Sequence, residues 1–184
     1  MIGDLIVEVH DFLLQHGVRH AFGGALALNY YAEPRGTNDV DVNVSVPFNE
    51  IASLVGELGR LGFELERPLA EGIPAAGIRL HRGLDVVDVF SAFDEFHQRV
   101  LDNAQVFPLQ RGEGRIDLPF LSANDLVVFK LSFNRLRDWA DIDAMLDAGT
   151  PIDISYVESS LVALHGTTMY PRVAALRARV VARG

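Results

Sequence analysis

The eight residues DVDVNVSV, Asp39 to Val46, alternate polar and apolar side chains without a break. A period of two belongs to a β-strand, so Val40, Val42, Val44 and Val46 share one face and Asp39, Asp41, Asn43 and Ser45 the other. The valine face must be covered by something, which calls for a sheet with helices packed on it. The opposite face carries two carboxylates, and Asn43 is expected at its rim.

The remaining patterns supply the cover. MIGDLIVEVHDFLLQHG places Ile2, Leu5, Ile6, Val9, Phe12 and Leu13 at helical spacing and stops near Gly17. It holds Asp4, Glu8 and Asp11 and no basic leader, so it reads as a packed helix and not as a targeting segment. VRHAFGG reads as a strand, ALALNYYA as a short helix, and Pro47 to Leu61 as a helix that Gly62 ends. Strands follow in GIRLH and LDVVDVF, then a helix in FDEFHQRVL, then a hairpin of VFPLQ and RIDLPF about Gly112-Glu113-Gly114. From Ser122 a Ser-x-x-Asp capping pattern opens SANDLVVFKLSFNRL, and the rest is helical. The expected architecture is α/β (α+β): a mixed sheet with flanking helices over 1–121 and a helical subdomain over 122–184.

Composition narrows the chemistry. The chain of 184 residues has no cysteine, which excludes thiolate metal sites and cysteine nucleophiles and suits a reducing cytoplasm. Any metal must be held by oxygen or histidine. No run approaches the apolar length of a membrane span. A net charge of -9 argues against a general nucleic-acid coat. Basic residues are arginines with one exception, Lys130, which lies inside the apolar run LVVFKLSF; Arg172, Arg177, Arg179 and Arg183 gather in the last helix.

Asp39 and Asp41, two apart on one strand face, lie about 6.6 Å from Cα to Cα and can converge on metal. Asp88 in VVDVF is the candidate third acid, because a charge in an apolar strand needs a reason; Asp85 is out of phase with it. Three such carboxylates would repel by roughly 3 kcal/mol per pair at about 5 Å and an effective dielectric near 20. Magnesium, with manganese as the alternative, relieves this and accepts hard oxygen ligands completed by phosphates. Taken alone, Asp-x-Asp is more often the wet face of an edge strand. Gly23-Gly24, between strand and helix, suits either a phosphate against bare backbone or a tight turn. Arg35 and Thr37 in the following loop could meet phosphates or simply close the loop. Lys130 suits a triphosphate as a compact point charge, or snorkels from its helix. Trp139 and Phe133 are expected in the core.

The stretch GGALALNYYAEPRGTNDVDVNV resembles the signature of the DNA polymerase β-like nucleotidyltransferase superfamily, and its Arg-x-Thr-x-Asp-x-Asp form is similar to the AbiEii/MenT-like branch, which includes toxins of type IV toxin–antitoxin systems. The likeness runs over about residues 18 to 147. It implies a catalytic set of Asp39, Asp41, Asp88, Lys130 and Asp141, metal on Asp39, Asp41 and Asp88, and nucleotide on Gly23, Gly24, Arg35, Thr37 and Lys130. It matches Asp138 and Asp141 to a late acidic segment. The implied activity is EC 2.7.7-type transfer of a nucleoside monophosphate from an NTP to an acceptor hydroxyl. A tRNA 3′ end is the first expected acceptor, with the C-terminal arginines as contact surface and a cognate antitoxin as partner protein. Alternatives are transfer to a protein or to a small molecule such as an aminoglycoside, or a non-catalytic module that binds nucleotide or a partner.

Overall fold

The computed structural model describes residues 1–47, 49–67, 77–112 and 114–183. In chain order the elements are α1 (Ile2–Gln15), β1 (His20–Phe22), α2 (Gly24–Leu28), β2 (Asp39–Val44), α3 (Ile51–Gly59), β3 (Glu64–Leu65), β4 (Ile78–Arg82), β5 (Asp85–Ser91), α4 (Glu95–Asp102), β6 (Gln105–Arg111), β7 (Gly114–Phe120), α5 (Ala123–Phe133), α6 (Leu136–Asp147), α7 (Ile154–His165) and α8 (Tyr170–Val181). They divide into two compact units, Met1–Leu26 with Gly36–Leu121, and Ala27–Arg35 with Ser122–Gly184. The second unit therefore includes the end of α2 and the loop after it.

The first unit is built on a seven-stranded mixed sheet in the order β3-β4-β5-β2-β1-β7-β6. The alternating strand β2 is its middle strand, parallel to β5 and antiparallel to β1. Val40, Val42 and Val44 are buried, as are Val87 and Val89 of β5, and helices α1 and α4 pack on β2. Each such valine contributes about 1.5–3 kcal/mol relative to exposure, which settles which face of β2 turns inward. β6 and β7 pair antiparallel as expected; Glu113, between them, lies outside the described residues. Strand β3 is an addition that no sequence pattern announced.

The middle position of β2 corrects one expectation. Asn43 is 4% exposed and is no rim residue. It stands opposite Ala21 on β1 and its Nδ2 donates to the Ala21 carbonyl at 3.5 Å. Asp85 belongs elsewhere too, in an ion-paired group with Arg82 and Glu8 at the hairpin of β4 and β5.

A buried histidine pair joins α1 to β1. His20 Nδ1 lies 3.0 Å from the Val18 carbonyl and so carries the proton, which leaves His20 Nε2 to accept from His10 Nδ1 at 2.9 Å. Burial pulls both imidazoles below their ordinary value, against the opposing pull of Asp11 on His10 and of the Val18 carbonyl on His20. The unfolded chain thus binds more protons than the folded one below about pH 6.5. This contribution to stability is complete above that pH and is lost as the pH falls toward the depressed folded values. Urea midpoints measured from pH 7.5 to 5 should fall more steeply for the native chain than for His10→Phe/His20→Leu. Equal slopes would dismiss the pair as a source of acid sensitivity.

In the second unit α5 (Leu126, Val127, Leu131) packs with α6 (Ile142, Met145) and α7 (Val157, Leu161), and α8 (Val173, Leu176) packs on α7. Ser122 caps α5 by accepting from the Asp125 N–H, and Asn134 ends it in the left-handed conformation at φ 57°. Phe133 is 42% exposed with Arg135 over its ring, so it is not a core residue. Trp139 instead carries the Arg179 guanidinium 4.3 Å from its ring centre. No helix among the described residues is long and apolar enough to cross a membrane.

Candidate active site

Parallel pairing of β2 with β5 sets Asp41 directly opposite Asp88, and Asp39 opposite Val86. Antiparallel pairing of β4 with β5 then sets Arg79 opposite Asp88. Side chains opposite one another in a sheet share a face, so Arg79, Asp88 and Asp41 form a row across three strands, with Asp39 two residues along from Asp41. The three acids matched by resemblance are thus gathered by register alone.

Gly23-Gly24 lies beside this row. The Gly23 N–H donates to the Asp41 carbonyl at 2.8 Å, extending the ladder past the end of β1. A Cβ on Gly24 would fall 1.7 Å from Asp41 Oδ2, and its φ of +55° is itself costly for any other residue. Gly24 is bare because the Asp41 carboxylate occupies that space. At Gly23 the crowding atoms are Leu121 Cδ1 at 3.1 Å and Asn43 Nδ2 at 3.5 Å. Thr37 holds the start of β2, its hydroxyl accepting from the Asp39 N–H at 3.2 Å.

Asp88 is engaged by an arginine that the sequence did not single out. Arg79 Nε and Nη2 reach its two oxygens at 2.8 and 2.6 Å, and Nη2 lies 3.6 Å from Asp39 Oδ2. The Asp88 hydrogen bonds hold the guanidinium above the usual arginine value, with the charges of Asp88, Asp39 and Glu66 adding to the effect against desolvation. Among the described residues no three His, Asp or Glu side chains converge as a metal group. Asp39 and Asp41 offer the hard oxygen donors that suit a divalent ion, and Asp88 is turned to Arg79.

In the second unit Lys130 and Asp141 meet with Arg35. Lys130 Nζ lies 2.5 Å from Asp141 Oδ2, and Arg35 binds the same carboxylate through Nε and Nη2 at 2.8 and 2.9 Å. Lys130 and Asp141 side chains are 6% and 5% exposed. Burial pushes the Asp141 carboxyl up, but the Arg35 and Lys130 hydrogen bonds outweigh it and leave it below the usual range. Burial also draws the Lys130 ammonium below its ordinary value, despite the bond to Asp141. The Arg35 N–H is taken by Asn29 Oδ1 at 3.0 Å. Asp138 accepts from the Arg135 N–H and guanidinium at the start of α6, a capping role.

No model of a protein family and no curated protein sequence matches the chain. Solved structures do. The antibiotic-resistance factor ANT(2″)-Ia superposes with a TM-score of 0.58 at 15% identity over 95% of this chain and 94% of its own; it has also been crystallised with adenylyl-2″-tobramycin, at a TM-score of 0.52 and 16% identity over 96% and 97%. The lincosamide antibiotic adenylyltransferase LnuA, bound to lincomycin, gives 0.51 at 12% identity over 78% of this chain and 95% of its own. An antigenic nucleotidyltransferase-like protein from Paracoccidioides brasiliensis gives 0.51 at 17% over 95% and 90%. The chain has a nucleotidyltransferase fold.

Two features of this nucleotidyltransferase fold escaped sequence reasoning. Arg79 lies in GIRLH, where the alternation Ile78, Arg79, Leu80 already marks it as facing away from the apolar side; what was missing was the register that sets it against Asp88. Asn43 Oδ1 is the single buried side-chain oxygen or nitrogen without a partner among the described residues. Nothing in the alternation distinguishes that position from an exposed one.

Proposed function

We propose that this chain transfers a nucleoside monophosphate from an NTP to an acceptor hydroxyl. The observation that carries the reading is the row formed by register, Asp41 opposite Asp88 with Asp39 two residues along, closed on one side by the Cβ-free backbone of Gly24. A structural salt-bridge network has no need to strip a neighbouring backbone of its side chain so that one carboxylate can lie against it.

Asp39 and Asp41 would hold magnesium, or manganese, which supplies charge neutralisation to the triphosphate. The Gly23 N–H is spent on Asp41, so phosphate contact falls to Gly24 and the first turn of α2. The acceptor oxygen bonds to the α-phosphorus as the α–β bridging bond breaks, pyrophosphate leaves, and Asp88 takes the hydroxyl proton. Within the second unit Asp141 holds Lys130 and Arg35, the two cations that the resemblance assigns to nucleotide.

For the acceptor, a hydroxyl of a small molecule comes first. The four C-terminal arginines, three in α8 and Arg183 just past its end, are engaged within their unit: Arg172 with the Leu131 and Ser132 carbonyls, Arg177 with Glu158, Arg179 with Asp143 and Trp139, and Arg183 with Asp143 and Asp147. The basic surface expected for tRNA is thereby largely consumed, and the net charge is -9. The solved relatives bound to lincomycin and to adenylyl-tobramycin support the same choice. A tRNA 3′ end, with a cognate antitoxin and a toxin role, is the second reading, supported by the resemblance of Arg35–Asp41 to the toxin branch.

Each labelled NTP should be incubated with the protein, magnesium and, separately, total tRNA, cell protein and a panel of aminoglycosides and lincosamides. Label is expected on a small molecule. Label on RNA would instead establish the second reading, and no transfer with any NTP in any pool would reduce the chain to a binding module.

A further inference from the structure

Arg79 is placed to do more than balance charge. It comes from the strand next to Asp88 in direct register, makes the two-point fork with that carboxylate, and reaches toward Asp39 with the same Nη2. Asp88 itself is 14% exposed, whereas the Arg79 side chain is 43% exposed. A carboxylate so covered requires a cation beside it, and the guanidinium can swing into solvent without uncovering the core. Nothing in the packing of β4 needs the fork: Ile78 and Leu80 supply the buried contacts of that strand.

We propose that Arg79 is a resident, tethered cation of the carboxylate row that competes with a divalent ion for Asp88. With the fork closed, the row offers a metal only Asp39 and Asp41, and Asp88 stays charge-compensated. With the fork open, Asp88 is released to a metal or to the acceptor proton, and Arg79 is free to meet the phosphates that arrive with the nucleotide. Loading of the site is thus coupled to displacement of a protein side chain, which disfavours metal held without substrate. This rests on the metal-dependent reading of the preceding subsection.

The test uses the full chain and Mn2+ as probe, with free Mn2+ followed by electron paramagnetic resonance in the absence of nucleotide. Arg79→Gln is expected to bind Mn2+ about tenfold more tightly than the native protein, because one fixed positive charge has left the row, while Arg79→Lys stays within about twofold of native because it keeps the charge. The gain should vanish in Arg79→Gln/Asp88→Asn, which shows that Asp88 is the group released. A second readout is thermal: in EDTA Arg79→Gln melts below native, and saturating Mn2+ raises its melting temperature more than it raises that of the native protein. Unchanged or weaker Mn2+ binding by Arg79→Gln, in a native protein that does bind Mn2+, overturns the competition and leaves the metal reading intact. Failure of native and variant proteins alike to bind Mn2+ removes the metal reading itself, and the inference with it.

Discussion

Asp41→Asn is expected to lower nucleotidyl transfer about 10^3-fold or more while leaving the melting temperature nearly unchanged. The substitution keeps the shape of the side chain, which matters because Gly24 leaves a cleft fitted to Asp41 with no spare room. It removes the charge and turns one acceptor oxygen into an NH2 donor. Asp41 lies on the middle strand, where the ladder to β1 and β5 and the buried Val40 and Val42 hold the backbone regardless of what the outward side chain carries. A loss of that size corresponds to about 4 kcal/mol of transition-state stabilisation, more than a displaced hydrogen bond would explain. The measurement is initial rate at saturating NTP on whichever acceptor takes label, beside a melting curve. Label incorporated at the native rate by Asp41→Asn would remove the carboxylate row from the chemistry altogether.

Asp141→Ala should cost about 3–5 kcal/mol of stability, the range for removing one partner of a buried ion pair. Among the described residues Asp141 is the carboxylate bonded to Lys130 Nζ, and it also receives the Arg35 fork. Its loss leaves an ammonium inside α5 among Leu126, Val127 and Leu131, where desolvation is severe. Lys130→Met/Asp141→Leu removes both charges and should recover most of the loss, since an apolar pair of similar volume is often as stable as the ion pair it replaces. Urea denaturation of the two variants decides this; a cost under about 1 kcal/mol for Asp141→Ala would show the cluster to be well solvated. The double variant also separates two roles for Lys130. Restored stability with weakened NTP binding assigns the lysine to the nucleotide, and restored stability with native NTP binding assigns it to the architecture of the second unit.

Much of this protein is legible in the sequence, for reasons that are local. Strict alternation from Asp39 to Val46 makes a strand and sorts its faces whatever surrounds it, because side chains on a pleated backbone must alternate. Helical spacing in α1, the Ser122 cap of α5 and the helical tail are signals of the same kind, carried by neighbours a few residues apart. Asp88 could be singled out as a charge within an apolar strand, and the structure sets it opposite Asp41. Lys130 could be singled out by its rarity in an apolar run.

What the chain could not disclose locally is pairing. Only the strand order puts β2 in the middle of the sheet, which turns Asn43 from an expected rim residue into a buried one with an unanswered oxygen. Only the register of β4 brings Arg79 to Asp88, 9 residues away in sequence, and only the packing of the second unit joins Arg35 to Asp141 across 106 residues. The C-terminal arginines read as a basic surface until the helices beside them supply Glu158, Asp143 and Asp147 as partners. A sequence pattern reports which face a residue takes, since that follows from the dihedral angles of its own segment. Which charges then meet across that face depends on contacts between segments distant in the chain, and those exist only once the sheet and the helical unit have formed.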